Sequence, residues 1–416
     1  MPIIAEDRRI LRELALQYRN CAEDPVNAER EARARRIHAL SHERPIVGIH
    51  EVPWNEMNAG GELTCFCQDP YARRIEWFFR SKLFQWKYFP GDMVLEKFFR
   101  ISKSYSNTFD GLNVIENDIR VTDKTNYIIS HTYTDQLDTE EKLNLLKMPV
   151  VTAHPETDAA RKAFVEEMFG DILPPKIAGT YFTCGTWDRL ARIRGVEPVY
   201  YDLALRPDFM HETARRYLDI YMSAVDQMDA LGLFSGELNE LHCTPAWCDE
   251  LDETERKNGR GSAASTWCRA VAQPFGSVSP DMHEEFDTEY VIPLASRFGL
   301  TYYGCCEPLH DRVDILKRIP NLRKVGATPW ADIPMMAEAL GKEYVMSRKP
   351  NPALVGGTLD EDAIRAEVRE TADVCIRYGC PWDYTLKDIS TVKYTPANLF
   401  RWHQIVQETL DEYYPR

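Results

Sequence analysis

The sequence predicts an α/β chain wound as one (β/α)8 TIM barrel, residues 45–416, behind an N-terminal helical extension, residues 1–44. Three observations carry this prediction. From residue 145 onward, short β-prone runs alternate with helical patterns, the rhythm of repeated βα units. No linker, internal repeat or low-complexity tract interrupts that alternation. The length of 416 residues suits either two or three ordinary domains or one large barrel with extensions, and the missing linker favours the barrel.

In chain order, Asp7–Asn20 reads as a helix with Ile10, Leu11, Leu14 and Tyr18 on one face. Glu29–Ala39 is Arg- and Ala-rich and reads as a second helix. The run from Pro45, PIVGIHEV, is a short buried-strand pattern, followed by Pro53-Trp54-Asn55-Glu56 as its loop. Residues 60–140 fit no clear unit: Tyr71–Trp86 has aromatic helical character and Val94–Tyr105 alternates weakly. They are expected to form an insertion over the barrel mouth.

Beyond them come a strand at Lys147–Thr152, a helix at Ala159–Phe169 and a strand at Lys176–Thr183. Helices follow at Thr186–Arg194 and Phe209–Leu231, then strands at Leu233–Leu241 and Ser265–Ala272. Ser279-Pro280 starts a helix, with Ser as N-cap and Pro in the first turn. Strands are expected at Leu300–Tyr303, Leu322–Val325, Tyr344–Ser347 and Asp383–Ile389. Thr358 and Glu361 have capping-box spacing at the head of a helix that Gly379 ends, and Pro396–Tyr413 closes the chain as a helix.

Net charge is −15, which argues against nucleic acid as the main partner. Met1 is followed by a charged helical pattern, so no signal peptide is expected, and no apolar run is long enough to span a bilayer. Eleven cysteines, an odd number at irregular spacing, read as free thiols of a cytoplasmic protein rather than a disulfide framework.

The leading chemical candidate is the stretch just past Leu300–Tyr303: Cys305, Cys306, Glu307 and His310. Thiolate and imidazole are ligands Zn²⁺ prefers, and the C-terminal ends of parallel strands are where such a fold keeps its chemistry. The competing reading makes both Cys residues small core residues and His310 a helix-cap donor. A second candidate is ELNELHCTPAWC, with Glu237, Glu240, His242, Cys243 and Cys248; the alternative is a polar loop with two incidental thiols. His283-Glu284-Glu285-Phe286-Asp287 has Asp287 where a zincin helix needs its second His, so a solvated helix face is expected. Glu51, Glu56, His154, Asp383 and Asp388 are lesser acid/base candidates. No Walker A loop, strand-to-helix GxGxxG or GxSxG elbow is present.

The segment SPDMHEEFDTEYVIPLASRFGLTYYGCCEPL resembles part of the uroporphyrinogen decarboxylase superfamily. There a Ser-Pro-x-Met-x-x-x-Phe helix precedes a strand that ends, in the zinc methyltransferase branch, in His-x-Cys. The same place here reads Tyr303-Gly304-Cys305-Cys306, keeping the sulfur but not the His. IPNLRKVGATPWADI, TLKDISTVKYTP and PIVGIHEVPW resemble one branch, the first methyltransferase of corrinoid-dependent O-demethylases. The resemblance covers most of the chain in separated patches. The early Arg-Gln-Ala-Gly-Arg pattern of true uroporphyrinogen decarboxylases is absent.

The resemblance implies a distorted (β/α)8 barrel. It implies transfer of a methyl group from a small methoxylated compound, often aromatic, to Co(I) of a separate corrinoid protein. Some members are described with a zinc motif of Glu, fourteen residues, Glu, twenty residues, His; Glu289 and His310 fit the second interval, while the first position falls on Pro274. The expected sites are therefore Cys306, His310 and Glu289 for zinc, and Glu307, His310 and Glu240 for ether activation. Trp54, Tyr303 and His242 are expected to bind substrate. A homodimer is an expectation from the superfamily. The alternative is a metal-free decarboxylase or lyase of the same superfamily acting on a small carboxylated substrate.

Overall fold

The computed structural model describes residues 5–119 and 130–415. The part of the expected 60–140 insertion at 120–129 lies outside the described residues. The centre is a seven-stranded parallel sheet. Its strands are β1 (Ile46–Ile49), β2 (Phe182–Cys184), β3 (Trp267–Ala270), β4 (Leu300–Tyr303), β5 (Leu322–Ala327), β6 (Val345–Arg348) and β7 (Trp382–Leu386). Their order is β1-β7-β6-β5-β4-β3-β2, so each neighbour from β7 to β2 is one step back in the chain. This winding is compatible with a TIM-like barrel. Hydrogen bonding does not close it between β1 and β2 among the described residues.

Every residue of β3, β4, β6 and β7 is buried, as expected for parallel strands covered on both faces. Alternation along a strand sends neighbours to opposite sides. Tyr302 joins Leu238, Leu241, Trp267 and Leu300 on one face, whereas Tyr303 joins the large core beneath the helices.

The gap between β1 and β2 is where the sequence expectation of a strand at Leu233–Leu241 needs correction. Only Phe234 makes a bridge, to Thr180. The rest folds as a tight hairpin of Glu240–Leu241 against Thr244–Pro245. The reason is local crowding: a Cβ on Gly236 would lie 2.6 Å from the Leu251 carbonyl oxygen and 2.7 Å from that of Ser265, so backbone packs where a ladder partner would stand. The hairpin instead lies across the strands. Thr244 Oγ1 is 3.0 Å from Ser347 Oγ and 2.9 Å from Asp383 Oδ2, and Lys324 Nζ donates to Thr244 Oγ1 and the Pro245 carbonyl, each at 2.9 Å.

The run expected as one strand at Lys176–Thr183 is two. Pro175–Ala178 pairs with Phe99–Ser102, and after Gly179 the chain re-enters as β2. The N-terminal helix, Ala5–Ala22, buries Ile10, Leu11, Leu14 and Tyr18 as its periodicity predicts. It packs with Phe79 of helix Pro70–Tyr88 and with Phe99 and Phe169 in a second core. The last long helix pair, Glu361–Tyr378 and Ala397–Tyr413, covers β7. Asp360 rather than Thr358 caps the first of these, accepting from Ala363 N at 2.9 Å. The loop expected at 53–56 is a single helical turn, Trp54–Met57.

Candidate active site at the strand ends

β4 ends at Gly304, whose φ is +123°. A Cβ there would sit 3.0 Å from Leu309 Cδ1 and 3.1 Å from Gly326 N, so the turn requires glycine. It delivers Cys305 and Cys306 with their sulfurs 3.7 Å apart, both as free thiols. Lys387, one residue past β7, places Nζ 3.3 Å from Cys306 Sγ and 3.9 Å from Cys305 Sγ. It also donates to the Asp388 carboxylate, which lies 3.5 Å from Cys306 Sγ.

These contacts divide the thiols. The hydrogen bond from Cys306 holds the Cys305 thiol well below its usual range against the opposing effect of burial, with His242, Lys387 and Arg269 adding to the depression. Cys306 moves well up, because it keeps the proton it donates to Cys305 and is itself buried. The pair therefore carries one proton and one negative charge. Lys387 is lifted well above the usual lysine range: burial works against its charge, and Cys305, Cys306 and Asp388 outweigh it. Glu307 is fully buried, and burial pushes its carboxyl up to about 8. Its oxygens accept from Ala272 N at 3.2 Å and Cys305 N at 3.0 Å, tying the end of β3 to the thiol turn.

Against this group stand Glu51, His242 and Cys243. Each offers one ligand atom, and the three atoms lie within 4.8 Å of one another. Glu51 follows β1 and its Oε2 accepts from Asp388 N at 3.0 Å; His242 and Cys243 are the tip of the hairpin. Glu51, Cys243 and Asp388 have φ of +49°, +52° and +56°. Left-handed backbone at a non-glycine residue is costly and clusters at functional sites. Beside them, His50 Nδ1 lies 3.0 Å from Glu240 Oε1. Burial raises the Glu240 carboxyl, but His50, Lys82 and His242 outweigh it and hold it below its usual value.

The structure thus brings together Cys305, Cys306, Glu307, Glu240, His242 and Cys243 with the lesser candidates Glu51 and Asp388, and adds Lys387. The other expected residues stand apart. Tyr303 faces the helix layer, donating to Asp287 Oδ2 at 2.5 Å with His283 Nε2 at 2.6 Å. Alternation along β4 turns Tyr302, not Tyr303, toward the hairpin. His283 and Asp287 are buried in this network, not on the solvated helix face expected of the broken zincin pattern. Glu289 is on an exposed helix turn, paired with Arg318 at 2.7 Å. His310 has a buried Nδ1 without a hydrogen-bond partner. Neither Glu289 nor His310 joins Cys306 in a ligand group among the described residues. Trp54 packs edge-on against Trp77 at 5.9 Å. Pro274 offers only its carbonyl, which accepts from Tyr200 Oη at 2.5 Å.

Lys387 and Arg269 were missed by sequence reasoning. The signal was present: each is a lone basic residue within or just after a strand that reads as buried, where a charge is costly unless used.

No family model matches the sequence, and no curated protein matches it. Among solved structures, the chain is similar to a methyltransferase from Methanosarcina mazei, with a TM-score of 0.45 and 12% identity over 90% of this chain and 94% of that one.

Proposed function

We propose that the protein is a methyltransferase that moves a methyl group from a small methoxylated compound, aromatic in the favoured reading, to Co(I) of a separate corrinoid protein. The fold would be a distorted (β/α)8 barrel of the uroporphyrinogen decarboxylase kind. The observation that carries the reading is the convergence of Glu51, His242 and Cys243 with the Cys305–Cys306–Lys387 group beyond the strand ends. This is the place to which the resembling segment, Tyr303-Gly304-Cys305-Cys306, leads.

Methyl transfer from an ether needs an activated oxygen, because alkoxide and phenolate are poor leaving groups, and it needs in-line positioning of the methyl group. The donor set of Glu51, His242 and Cys243 fits a zinc ion: one oxygen, one nitrogen and one sulfur leave a fourth position open, as in catalytic sites. Bound there, zinc would supply Lewis-acid activation of the ether oxygen. Lys387 remains charged throughout the neutral range and therefore stabilises developing negative charge on the leaving oxygen rather than giving up its proton. Cys306 retains a thiol proton, Cys305 a negative charge, and Glu307 fixes the Cys305 backbone.

The test is single-turnover methyl transfer to reduced corrinoid protein from a panel of methoxyarenes and other methylated small molecules. Transfer from at least one member is expected, and its absence across the panel overturns the reading. Metal analysis separates the ligand sets: zinc retained by Cys306→Ala and lost by His242→Ala is the expected result, and the reverse pattern restores a site built on Cys306.

A further inference from the structure

Arg269 is a buried cation that the protein leaves without a partner. It is 7% exposed, its Nε is buried with no hydrogen bond, and among the described residues no carboxylate or carbonyl accepts from its guanidinium. Among the described residues the other buried arginines each donate through a terminal nitrogen: Arg33 to Asp92, Arg194 to Asp202, Arg312 to the Phe275 carbonyl and Arg348 to Glu367. Arg269 sits on β3 opposite Tyr302 of β4 and Thr183 of β2. By strand alternation it shares a face with Trp267, one step nearer the strand ends. Below it lies the apolar layer of Leu238, Leu241, Trp267, Leu300 and Tyr302, with Tyr181 packed alongside. Burial works against its charge, and its surroundings, Cys305 first, outweigh that and keep it charged, but none of them accepts a hydrogen bond from it.

We propose that Arg269 anchors the carboxylate of a small ligand whose other end lies at Cys306, Lys387 and His242. The proposal rests on the strand-end group being the ligand site, and holds whichever group is transferred there. A buried, unpaired guanidinium is strongly unfavourable, so a fold that keeps one gains when an anion arrives. The planar fork of arginine matches a carboxylate in two parallel hydrogen bonds. A monoanion is favoured over phosphate because one guanidinium balances one negative charge.

The test uses the full chain without any corrinoid protein, so failure of methyl transfer cannot be mistaken for failure of this proposal. Calorimetric titration with benzoate, phenylacetate and butyrate is set against their amides and inorganic phosphate. Wild-type protein is expected to bind at least one carboxylate in preference to its amide, Arg269→Met to weaken that binding by about tenfold or more, and Arg269→Lys to recover part of it. Without ligand, Arg269→Met is expected to melt close to the wild-type temperature, because it removes donors that have no acceptor. A ligand-free Arg269→Met that melts several degrees lower assigns Arg269 a structural role and overturns the proposal. So does equal affinity for acid and amide, no binding across the panel, or tighter binding of phosphate than of every carboxylate.

Discussion

Glu307 is the residue at which the fold most plainly sets a proton. Its carboxyl is raised from 4.5 to about 8 by burial, so the folded chain holds a proton that the unfolded chain releases. The resulting stability is fully present below pH 4.5 and is lost as pH rises through about 8. Glu307→Gln is therefore expected to flatten the fall in melting temperature between pH 5 and pH 8; an unchanged slope would show that Glu307 does not carry it. Cys305 has the opposite sign. Its depressed thiol contributes stability that is present above the unfolded value of 9.0 and is lost as pH falls. At pH 6 the native protein is expected to show thiolate ultraviolet absorbance that Cys305→Ser abolishes. Persistence of that absorbance in Cys305→Ser would place the thiolate elsewhere. Gly304→Ala would strain the turn that presents both thiols, by about 1–2 kcal/mol for the backbone alone, and is expected to weaken the same absorbance.

The hairpin Glu240–Pro245 links the site to the sheet. Beneath it, Lys324 Nζ lies 3.0 Å and Lys349 Nζ 3.9 Å from Asp383, all three fully buried. Burial lowers Lys349 to about 8 even with Asp383 opposite. Lys349 also donates to the Cys243 carbonyl at 2.7 Å, so this charge network supports the hairpin tip that carries His242 and Cys243. Asp383→Ala would leave two buried ammonium groups uncompensated. It is expected to cost about 3–5 kcal/mol in urea unfolding and to reduce zinc retention with it. Loss of stability without loss of zinc would separate the hairpin tip from the network. The helix at Glu361–Tyr378 offers a plainer case: Asp360→Ala removes its cap and is expected to cost about 0.5–2 kcal/mol.

At the scale of the molecule, the two largest cores hold most of the buried apolar residues described. The large one fills the space between sheet and helices. The smaller one joins the N-terminal helix to segments near residues 79, 99 and 169. Leu14→Ala in the smaller core is expected to cost about 2–5 kcal/mol. If the two cores melt together, calorimetry will show a single lowered transition; two transitions would show that they unfold separately. No helix of the described residues is long and apolar enough to cross a membrane.

The periodic elements are legible in the sequence alone. Ile10, Leu11, Leu14 and Tyr18 mark a helix because their spacing repeats its turn, and Leu300–Tyr303 marks a strand because a short apolar run ending in glycine can be little else in this rhythm. The sequence also marked Cys305–Glu307 and His242–Cys243 as candidates, since ligand types following strand ends are legible one segment at a time. Which of these segments meet depends on packing between elements remote in sequence. Lys387 and Arg269 belong to strands far apart in the chain, and no local pattern records that both act on Cys305. That packing also sets which way Tyr302 and Tyr303 point, for a one-residue step along a strand exchanges its two faces. Finally it turned Leu233–Leu241 from a strand into a hairpin, because the backbone that crowds Gly236 belongs to residues distant in sequence.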